Sequence, residues 1–315
     1  MTKRNILRGL LAAILAVGTA LSLCACSDKG EDSGKIKVAV TNFPIYDFVR
    51  QIAGDNAEIT LLLPVGVESH HYEPTPSNII AIKECDLFLC IGGTDEQWVL
   101  KALSENKSEK RISLRLVDSI GDGLCPPIAN GNENHSDDGY DQHIWTSPEN
   151  AKKMLQTVYD ALCSVDMENS EIYMSNYEKY AQEITALQTE FKAVADSVED
   201  KTLVFADKFP FTYFAKEFGF SCLAAFPNCT DESEPSAQAV ATLIDEINTR
   251  DIKSVFYLSF GNKKVADNIC NETGASAYAL HTCHNVSKEE FDGGESYVSL
   301  MKKNLESLKK ALLNQ

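Results

Sequence analysis

The chain has 315 residues, a length that suggests about two domains. Its 44% hydrophobic and 24% charged residues are typical of a globular protein and exclude wholesale disorder and collagen-like or fibrous chains. The formal net charge is −17 and the sequence has no basic stripe, so neither nucleic acid nor an anionic membrane surface is predicted as a partner.

The N-terminal segment has the pattern of an export signal. Basic residues near the start are followed by an uncharged apolar stretch, which predicts a signal peptide over 1–25. The sequence LCAC at 23–26 resembles a bacterial lipobox, so we expect cleavage before Cys26 and acylation of that cysteine. A plain cleaved signal peptide is the alternative. Residues 26–34 are small and polar and predict a flexible tether to the lipid anchor.

The next part of the chain alternates between strand and helix patterns. Apolar, β-branched runs predict strands at 35–40, 57–62, 86–91 and 111–117, with helices at 44–54, 76–84 and 95–105. This alternation predicts βα units around a parallel sheet. Thr75 and Ser147 each stand before a proline, as capping residues do at the first turn of a helix. The interval 121–142, rich in glycine, proline and acids, predicts a long loop.

A long helix and a second alternating series follow. The apolar spacing predicts one helix over 169–199, about 45 Å long at 1.5 Å per residue. Strands are predicted at 202–206, 221–226, 254–258 and 276–280, with helices at 209–218, 236–249, 262–273 and 294–313. The predicted fold is therefore α/β, with two parallel-sheet lobes (35–165 and 201–315) joined by a linking helix (166–200). A ligand is expected in the cleft between the lobes, outside the carboxyl ends of the strands.

Most of the six histidines lie next to predicted strand ends or helix starts. His70 and His71 follow the second strand, His143 precedes the helix at 148, and His281 and His284 follow the last strand. Neutral imidazole is a common ligand of divalent metals. Each histidine taken alone is better explained as a loop residue, and the spacings match no compact zinc motif. As a set at strand ends, however, they predict one metal site in the cleft.

Several separated motifs resemble one protein family, over about residues 36–313. They are VESHHYEPTP at 67–76, DQHIW at 141–145, TYFAK at 212–216, SEPS at 233–236 and GGESY at 293–297. Together they are similar to the metal-binding lipoproteins of ABC importers for zinc and manganese. The resemblance implies a two-lobed metal-type periplasmic binding protein with a backbone helix. It also implies one metal ion between the lobes and delivery to a membrane permease, which is the work of a carrier and not of an enzyme.

The resemblance also implies a set of ligands. His70 matches the histidine before the aromatic-Glu-Pro run, and His143 matches the histidine of the Asp-x-His-Ile-Trp motif. The third ligand position, a histidine or glutamate in relatives, is Lys208 in this chain, and an ammonium group cannot bind a cation. Asp207 is the nearest oxygen donor. His71 falls where relatives carry a residue that is not a ligand.

The fourth ligand position and the metal follow from the same comparison. Relatives usually carry an aspartate after the last strand, where this chain offers His281 first and His284 as the alternative. Imidazoles with one carboxylate favour Zn²⁺ over Mn²⁺, which remains the alternative. Cys229 and Cys283 fall near the expected cleft, so a disulfide between them, a thiolate ligand and two buried thiols all remain open.

The sequence thus predicts a monomeric, lipid-anchored carrier outside the cytoplasm that passes Zn²⁺ to an ABC importer permease. Two other classes of protein are the alternatives. A zinc-dependent hydrolase could use Glu73, three residues after His70, as its base, but the chain has no HExxH motif. A lipoprotein that binds a siderophore or another organic chelate would need a cleft lined by arginine and aromatic residues rather than by His70 and His143.

Overall fold

The first sheet is built from the predicted βα units. The computed structural model describes residues 34–67, 72–93, 96–129, 132–133, 139–226 and 235–313. In its N-terminal lobe the elements are β1 (Ile36–Val40), α1 (Phe43–Ala53), β2 (Ala57–Leu61), α2 (Pro76–Glu84), β3 (Leu87–Cys90), α3 (Gln97–Glu105) and β4 (Ile112–Arg115). The strands are parallel, in the order β2-β1-β3-β4. Each predicted element is confirmed within a residue or two of its expected limits.

The connection between the sheets contains more structure than expected. The interval 121–142 was predicted as a loop, but it includes a 3₁₀ turn at Gly121–Gly123 and an antiparallel pair, β5 (Ile128–Ala129) and β6 (Asn132–Glu133). The loop prediction is wrong at these positions, because two-residue strands leave no periodic pattern in a sequence. The helices α4 (Pro148–Val165) and α5 (Ser170–Ser197) follow.

The second sheet repeats the plan of the first. Its elements are β7 (Thr202–Phe205), α6 (Thr212–Phe218), β8 (Ser221–Ala224), α7 (Ala237–Arg250), β9 (Ser254–Leu258), α8 (Lys263–Thr273) and β10 (Ser276–Leu280), followed by α9 (Lys288–Asp292) and α10 (Tyr297–Leu313). The parallel strand order is β10-β9-β7-β8. With α5 spanning 28 residues, about 42 Å, the predicted pair of α/β lobes and one long helix is confirmed.

The apolar core is shared by the two lobes. Successive residues of β1 point to opposite faces, so Val38 and Val40 join the inner core while Ala39 faces the helices on the outer side. The inner cluster continues without a break through α1, α5, α6 and α10. On α5, Phe191 packs against Phe214 of α6 with ring centroids 5.0 Å apart. The long helix therefore lies inside the core and packs against both lobes.

A buried carboxylate ties three of these helices together. Asp47 of α1 is fully buried and accepts hydrogen bonds from the Tyr180 hydroxyl on α5 (2.5 Å) and the Tyr297 backbone N–H on α10 (2.8 Å). Arg50 pairs with the same carboxylate at 2.5 Å and donates to the Glu295 carbonyl at 2.8 Å. Burial and the neighbouring Asp47 charge raise the pKa of Tyr180 well above its usual value, so its hydroxyl remains a donor.

Residues Ile36–Gln315 form one compact unit. None of the helices within the described ranges is long and apolar enough to cross a membrane. The predicted signal peptide (1–25) and the acylated Cys26 lie outside those ranges. The domain limits at 165/166 and 200/201 stay predictions.

Replacing Asp47 with alanine tests the helix-tying role of this carboxylate. The substitution leaves the Tyr180 hydroxyl and the Tyr297 N–H buried without an acceptor, so we expect a loss of about 3 kcal/mol or more in the free energy of unfolding. Urea denaturation at pH 7 measures it. The control is Asp55→Ala at an exposed position, expected to change stability by no more than about 0.5 kcal/mol. Equal effects of the two substitutions would contradict the role given to Asp47.

Candidate metal site

His143 is held in the tautomer that a metal ligand requires. It lies just before the 3₁₀ turn Ile144–Thr146 and is 6% exposed. Its Nδ1 lies 2.8 Å from Asp141 Oδ1, and the same oxygen accepts the His143 backbone N–H at 2.8 Å. The carboxylate therefore keeps the imidazole proton on Nδ1, which puts the ring lone pair on Nε2. A carboxylate behind a histidine in this way is the usual support of a metal-binding imidazole.

Asp141 is itself fixed by contacts from both lobes. Its backbone N–H donates to the Cys125 carbonyl (2.8 Å), and its own carbonyl accepts the Tyr213 hydroxyl of α6 (2.7 Å). Burial alone would raise the pKa of this carboxyl. The adjacent His143 imidazole, with hydrogen bonds from His143 and Thr212, outweighs burial and brings the Asp141 pKa below its usual value. Asp141 is therefore an anion at neutral pH, placed directly behind the His143 ring.

His284 from the other lobe lies beside His143. Their ring centroids are 6.0 Å apart and nearly perpendicular, and both rings contact Trp145, at 5.5 Å for His143 and 4.9 Å for His284. The Trp145 indole N–H donates to the Thr282 carbonyl (2.7 Å), which fixes the indole against the loop after β10. The structure thus brings together two of the histidines predicted from the sequence, one from each lobe.

His281 has different surroundings. Its Nδ1 accepts the Cys283 backbone N–H at 2.8 Å, and its Nε2 lies 3.5 Å from Glu290 Oε2. Asn304 of α10 accepts the His281 N–H and donates to the His281 carbonyl, each at 2.7 Å. The ring lone pair is therefore engaged by a backbone N–H, and the residue is fixed to the C-terminal helix. Of the two histidines considered for the fourth position, the geometry favours His284.

Asp207 is turned towards its own lobe. Its Oδ1 accepts the Lys208 backbone N–H at 2.8 Å, and Oδ2 lies so close to Gly261 that a Cβ there would come within 1.9 Å of it. Burial raises the pKa of this carboxyl. No three histidine, cysteine, aspartate or glutamate side chains within the described ranges could hold one ion. Within these ranges the structure does not bring Asp207 or His281 to the His143–His284 pair.

The remaining predicted site residues are only partly described. His70, His71 and Cys229 lie outside the described residues. Cys283 is a fully buried free cysteine, and burial raises the pKa of its thiol well above the usual value, which opposes a thiolate ligand. Cys229 is not described, so a disulfide between it and Cys283, one of the three alternatives, is not tested.

The loop after β2 is attached to the loop that carries His284. Asn285 Nδ2 donates to the carbonyls of Pro64 (2.8 Å) and Val67 (2.7 Å), and the Gly66 N–H donates to the Val286 carbonyl (2.9 Å). Val67 is three residues before His70 in the sequence. The described part of this loop is therefore fixed next to His284.

Two supporting residues were missed from the sequence. Asp141 stands two residues before His143, and a carboxylate so close to a predicted ligand was a usable signal. Asn304 is 23 residues from His281 and sits in an ordinary amphipathic helix, so nothing local marked it.

The chain is similar to proteins of zinc uptake. The family model described as "ZnuA: Zinc-uptake complex component A periplasmic" matches residues 38–311. The zinc-binding lipoprotein AdcA of Streptococcus pneumoniae is 28% identical over 306 residues, covering 95% of this chain and 60% of AdcA. The chain thus spans well under two thirds of that relative. The high-affinity zinc uptake system protein ZnuA of Bacillus subtilis is 29% identical over 310 residues, covering 95% of this chain and 94% of ZnuA.

Solved structures with the same fold include metal-bound proteins. The metal-dependent lipoprotein YcdH from Bacillus subtilis superposes with a TM-score of 0.76 and 30% identity, covering 88% of this chain and 100% of YcdH. The Zn(II)-bound ZnuA-like domain of Streptococcus pneumoniae AdcA has a TM-score of 0.74 and 27% identity, over 89% and 99% of the two chains. A Mn-bound periplasmic metal binding protein from Candidatus Liberibacter asiaticus has a TM-score of 0.75 and 25% identity, over 88% and 100%.

The role of Asn304 can be tested by Asn304→Ala. The substitution leaves the buried N–H and carbonyl of His281 without partners, so we expect the free energy of unfolding to fall by about 2–3 kcal/mol. Asn268→Ala, at an exposed site on α8, is the matched control and should lie within about 0.5 kcal/mol of the wild type. Thermal or urea unfolding measures both. A wild-type stability for Asn304→Ala would show that the His281 backbone does not depend on it.

Proposed function

Because the chain belongs to the family of zinc-uptake complex component A periplasmic proteins, we propose that it is an extracytoplasmic solute-binding protein of an ABC importer. Its cargo is one divalent metal ion, with Zn²⁺ as the first choice and Mn²⁺ as the alternative. The observation that carries the proposal is the pairing of His143 and His284 from opposite lobes, with Asp141 fixing the tautomer of His143.

The ligands we propose are His70, His143 and His284. His143 presents Nε2, since its Nδ1 proton is held by Asp141. His284 supplies the imidazole of the second lobe. His70 is proposed from the family motif; it stands three residues after Val67, whose carbonyl accepts a hydrogen bond from the side chain of Asn285 next to His284.

At the third and fourth ligand positions we propose a different arrangement from the one expected from the sequence. Lys208 cannot ligate a cation, and the contacts of Asp207 with the Lys208 N–H and Gly261 direct its carboxylate into its own lobe. His281 is committed to Cys283, Glu290 and Asn304. In this proposal Asp207 and His281 are not ligands, and the metal is held by imidazoles. A set of neutral imidazoles suits Zn²⁺ better than Mn²⁺, which prefers harder oxygen ligands.

The cellular setting completes the proposal. The relatives include one protein named as a zinc-binding lipoprotein and one named as a high-affinity zinc uptake protein. Together with the signal-like segment 1–25 and the lipobox at Cys26, these names support a protein anchored by lipid to the outer face of the cytoplasmic membrane. We propose that it acts there as a monomer. There it delivers the ion to an importer permease, and we assign it no catalytic residue.

Zinc titration of histidine variants tests the function. In competition with a chromogenic chelator, the wild type should bind one Zn²⁺ tightly. We expect His70→Ala, His143→Ala and His284→Ala each to weaken binding by at least about a hundredfold, since each removes a ligand. His71→Ala, which removes the adjacent histidine, is the matched control and should keep wild-type affinity. Full affinity in His143→Ala or His284→Ala would overturn the proposed site.

The support given by Asp141 has its own test. Asp141→Asn keeps the shape of the side chain but removes the negative charge behind His143, so we expect zinc affinity to fall by about 10–100-fold. The lowered pKa of Asp141 means that the wild-type carboxyl is ionised at pH 7. The substitution therefore removes a full negative charge at that pH. The measurement is the same chelator competition at pH 7, on variants checked for folding by circular dichroism. An unchanged affinity would show that the carboxylate is not needed behind the imidazole.

A further inference from the structure

A cavity lies in the N-terminal lobe, at the carboxyl ends of β3 and β4. Its volume is about 410 Å³, within the range of small-molecule sites in proteins. One wall is apolar and comes from α3, with Val99, Leu100 and Leu103. The carboxyl ends of parallel strands are where open α/β sheets bind ligands, so the position of the cavity is that of a binding site. Of the proposed metal ligands, the two that the structure describes, His143 and His284, do not line it.

The opposite wall is polar, and two glycines make room for it. Gly92 and Gly93 have φ values of 84° and 137°, in the region that favours glycine. A Cβ on Gly92 would come within 2.6 Å of Arg115 Nε, and one on Gly93 within 2.5 Å of Gln142 Oε1. Side chains at these two positions would therefore displace Arg115 and Gln142 from the wall of the cavity.

Among the described residues that line the cavity, one side chain is basic and one is acidic. The Arg115 guanidinium donates to the Tyr140 hydroxyl at 3.3 Å, and no carboxylate of the described residues forms an ion pair with it. Glu96 Oε2 accepts the Gly92 N–H at 2.7 Å, which fixes the carboxylate at the start of α3. A carboxylate has about four acceptor positions, so Glu96 retains capacity for a cationic donor beside its existing partners.

We propose that this cavity binds a free α-amino acid with an aliphatic side chain. The ligand carboxylate pairs with the Arg115 guanidinium, which matches a carboxylate through two parallel N–H donors. The ligand ammonium faces Glu96. The aliphatic side chain lies against the α3 wall, where Leu100 is 57% exposed in the absence of a ligand.

Other small ligands fit less well. A simple carboxylate would satisfy Arg115 but would bring a second negative charge close to Glu96, and a simple amine would do the reverse at Arg115. An inorganic ion would leave the apolar wall uncovered. A zwitterion with an apolar side chain satisfies all three parts of the cavity at once. This proposed site is additional to the proposed metal carriage and does not depend on it.

Isothermal titration calorimetry of the purified protein with L-leucine tests the proposal. L-leucine should bind saturably with 1:1 stoichiometry. The related probes 4-methylpentanoate, which lacks the ammonium group, and 3-methylbutylamine, which lacks the carboxylate, should each bind at least about tenfold more weakly. Arg115→Gln and Glu96→Gln should each weaken L-leucine binding by at least about tenfold, and the glutamine at 96 keeps an acceptor for the Gly92 N–H. Lys110→Gln, at an exposed position before β4, is the matched control for loss of a positive charge and should bind as the wild type does.

Three results would overturn the assignment. The first is the absence of saturable L-leucine binding up to about 10 mM, because a dissociation constant above that concentration means a binding free energy too small for a specific site. The second is binding of 4-methylpentanoate as tight as that of L-leucine, which would remove the part given to Glu96. The third is wild-type L-leucine affinity in Arg115→Gln. Zinc binding is measured separately on the same samples, so loss of either activity is distinguished from loss of the other.

Discussion

The buried carboxylate of Asp47 is the constraint on which the arrangement of the two lobes depends. It joins α1 of the first lobe to the long helix and to the C-terminal helix, through Tyr180 and the backbone of Tyr297. A carboxyl group so far from water is tolerated only when hydrogen-bond partners are fixed around it. The three helices are therefore held to one another, and the shared apolar core includes residues of each of them.

The candidate metal site draws on both lobes. His143 and His284 come from different lobes, and the loops that carry them are bonded across the cleft through Trp145 with Thr282 and through Tyr213 with Asp141. The Tyr297 hydroxyl also donates to the Trp145 carbonyl at 2.8 Å, which links the C-terminal helix to the same cluster. The contacts that orient the imidazoles and the contacts that hold the lobes are thus largely the same.

Sequence patterns predicted the fold well because its strands and helices are specified by residues that are close together in the sequence. The apolar alternation of β1 and the Thr75 and Ser147 caps are each encoded within a few residues. The resemblance to a known family supplied His143 as a ligand candidate. The choice between His281 and His284 could not be made, because it depends on the path of a turn and on Asn304, which is distant in sequence. The short α9 has too few residues to show a helical period.

The turn between these two histidines has a further consequence. Cys283 is a non-glycine residue with a φ of 60°, a left-handed conformation that costs on the order of 1–2 kcal/mol. This reversal of the chain sends the two flanking imidazoles in opposite directions, one to the C-terminal helix and one to the cleft. Two histidines three residues apart therefore have different surroundings: His281 is bonded to Asn304, and His284 lies beside His143. Under the proposed set of ligands, the length of this turn decides which of the two histidines faces His143, so loop length would bear on metal binding.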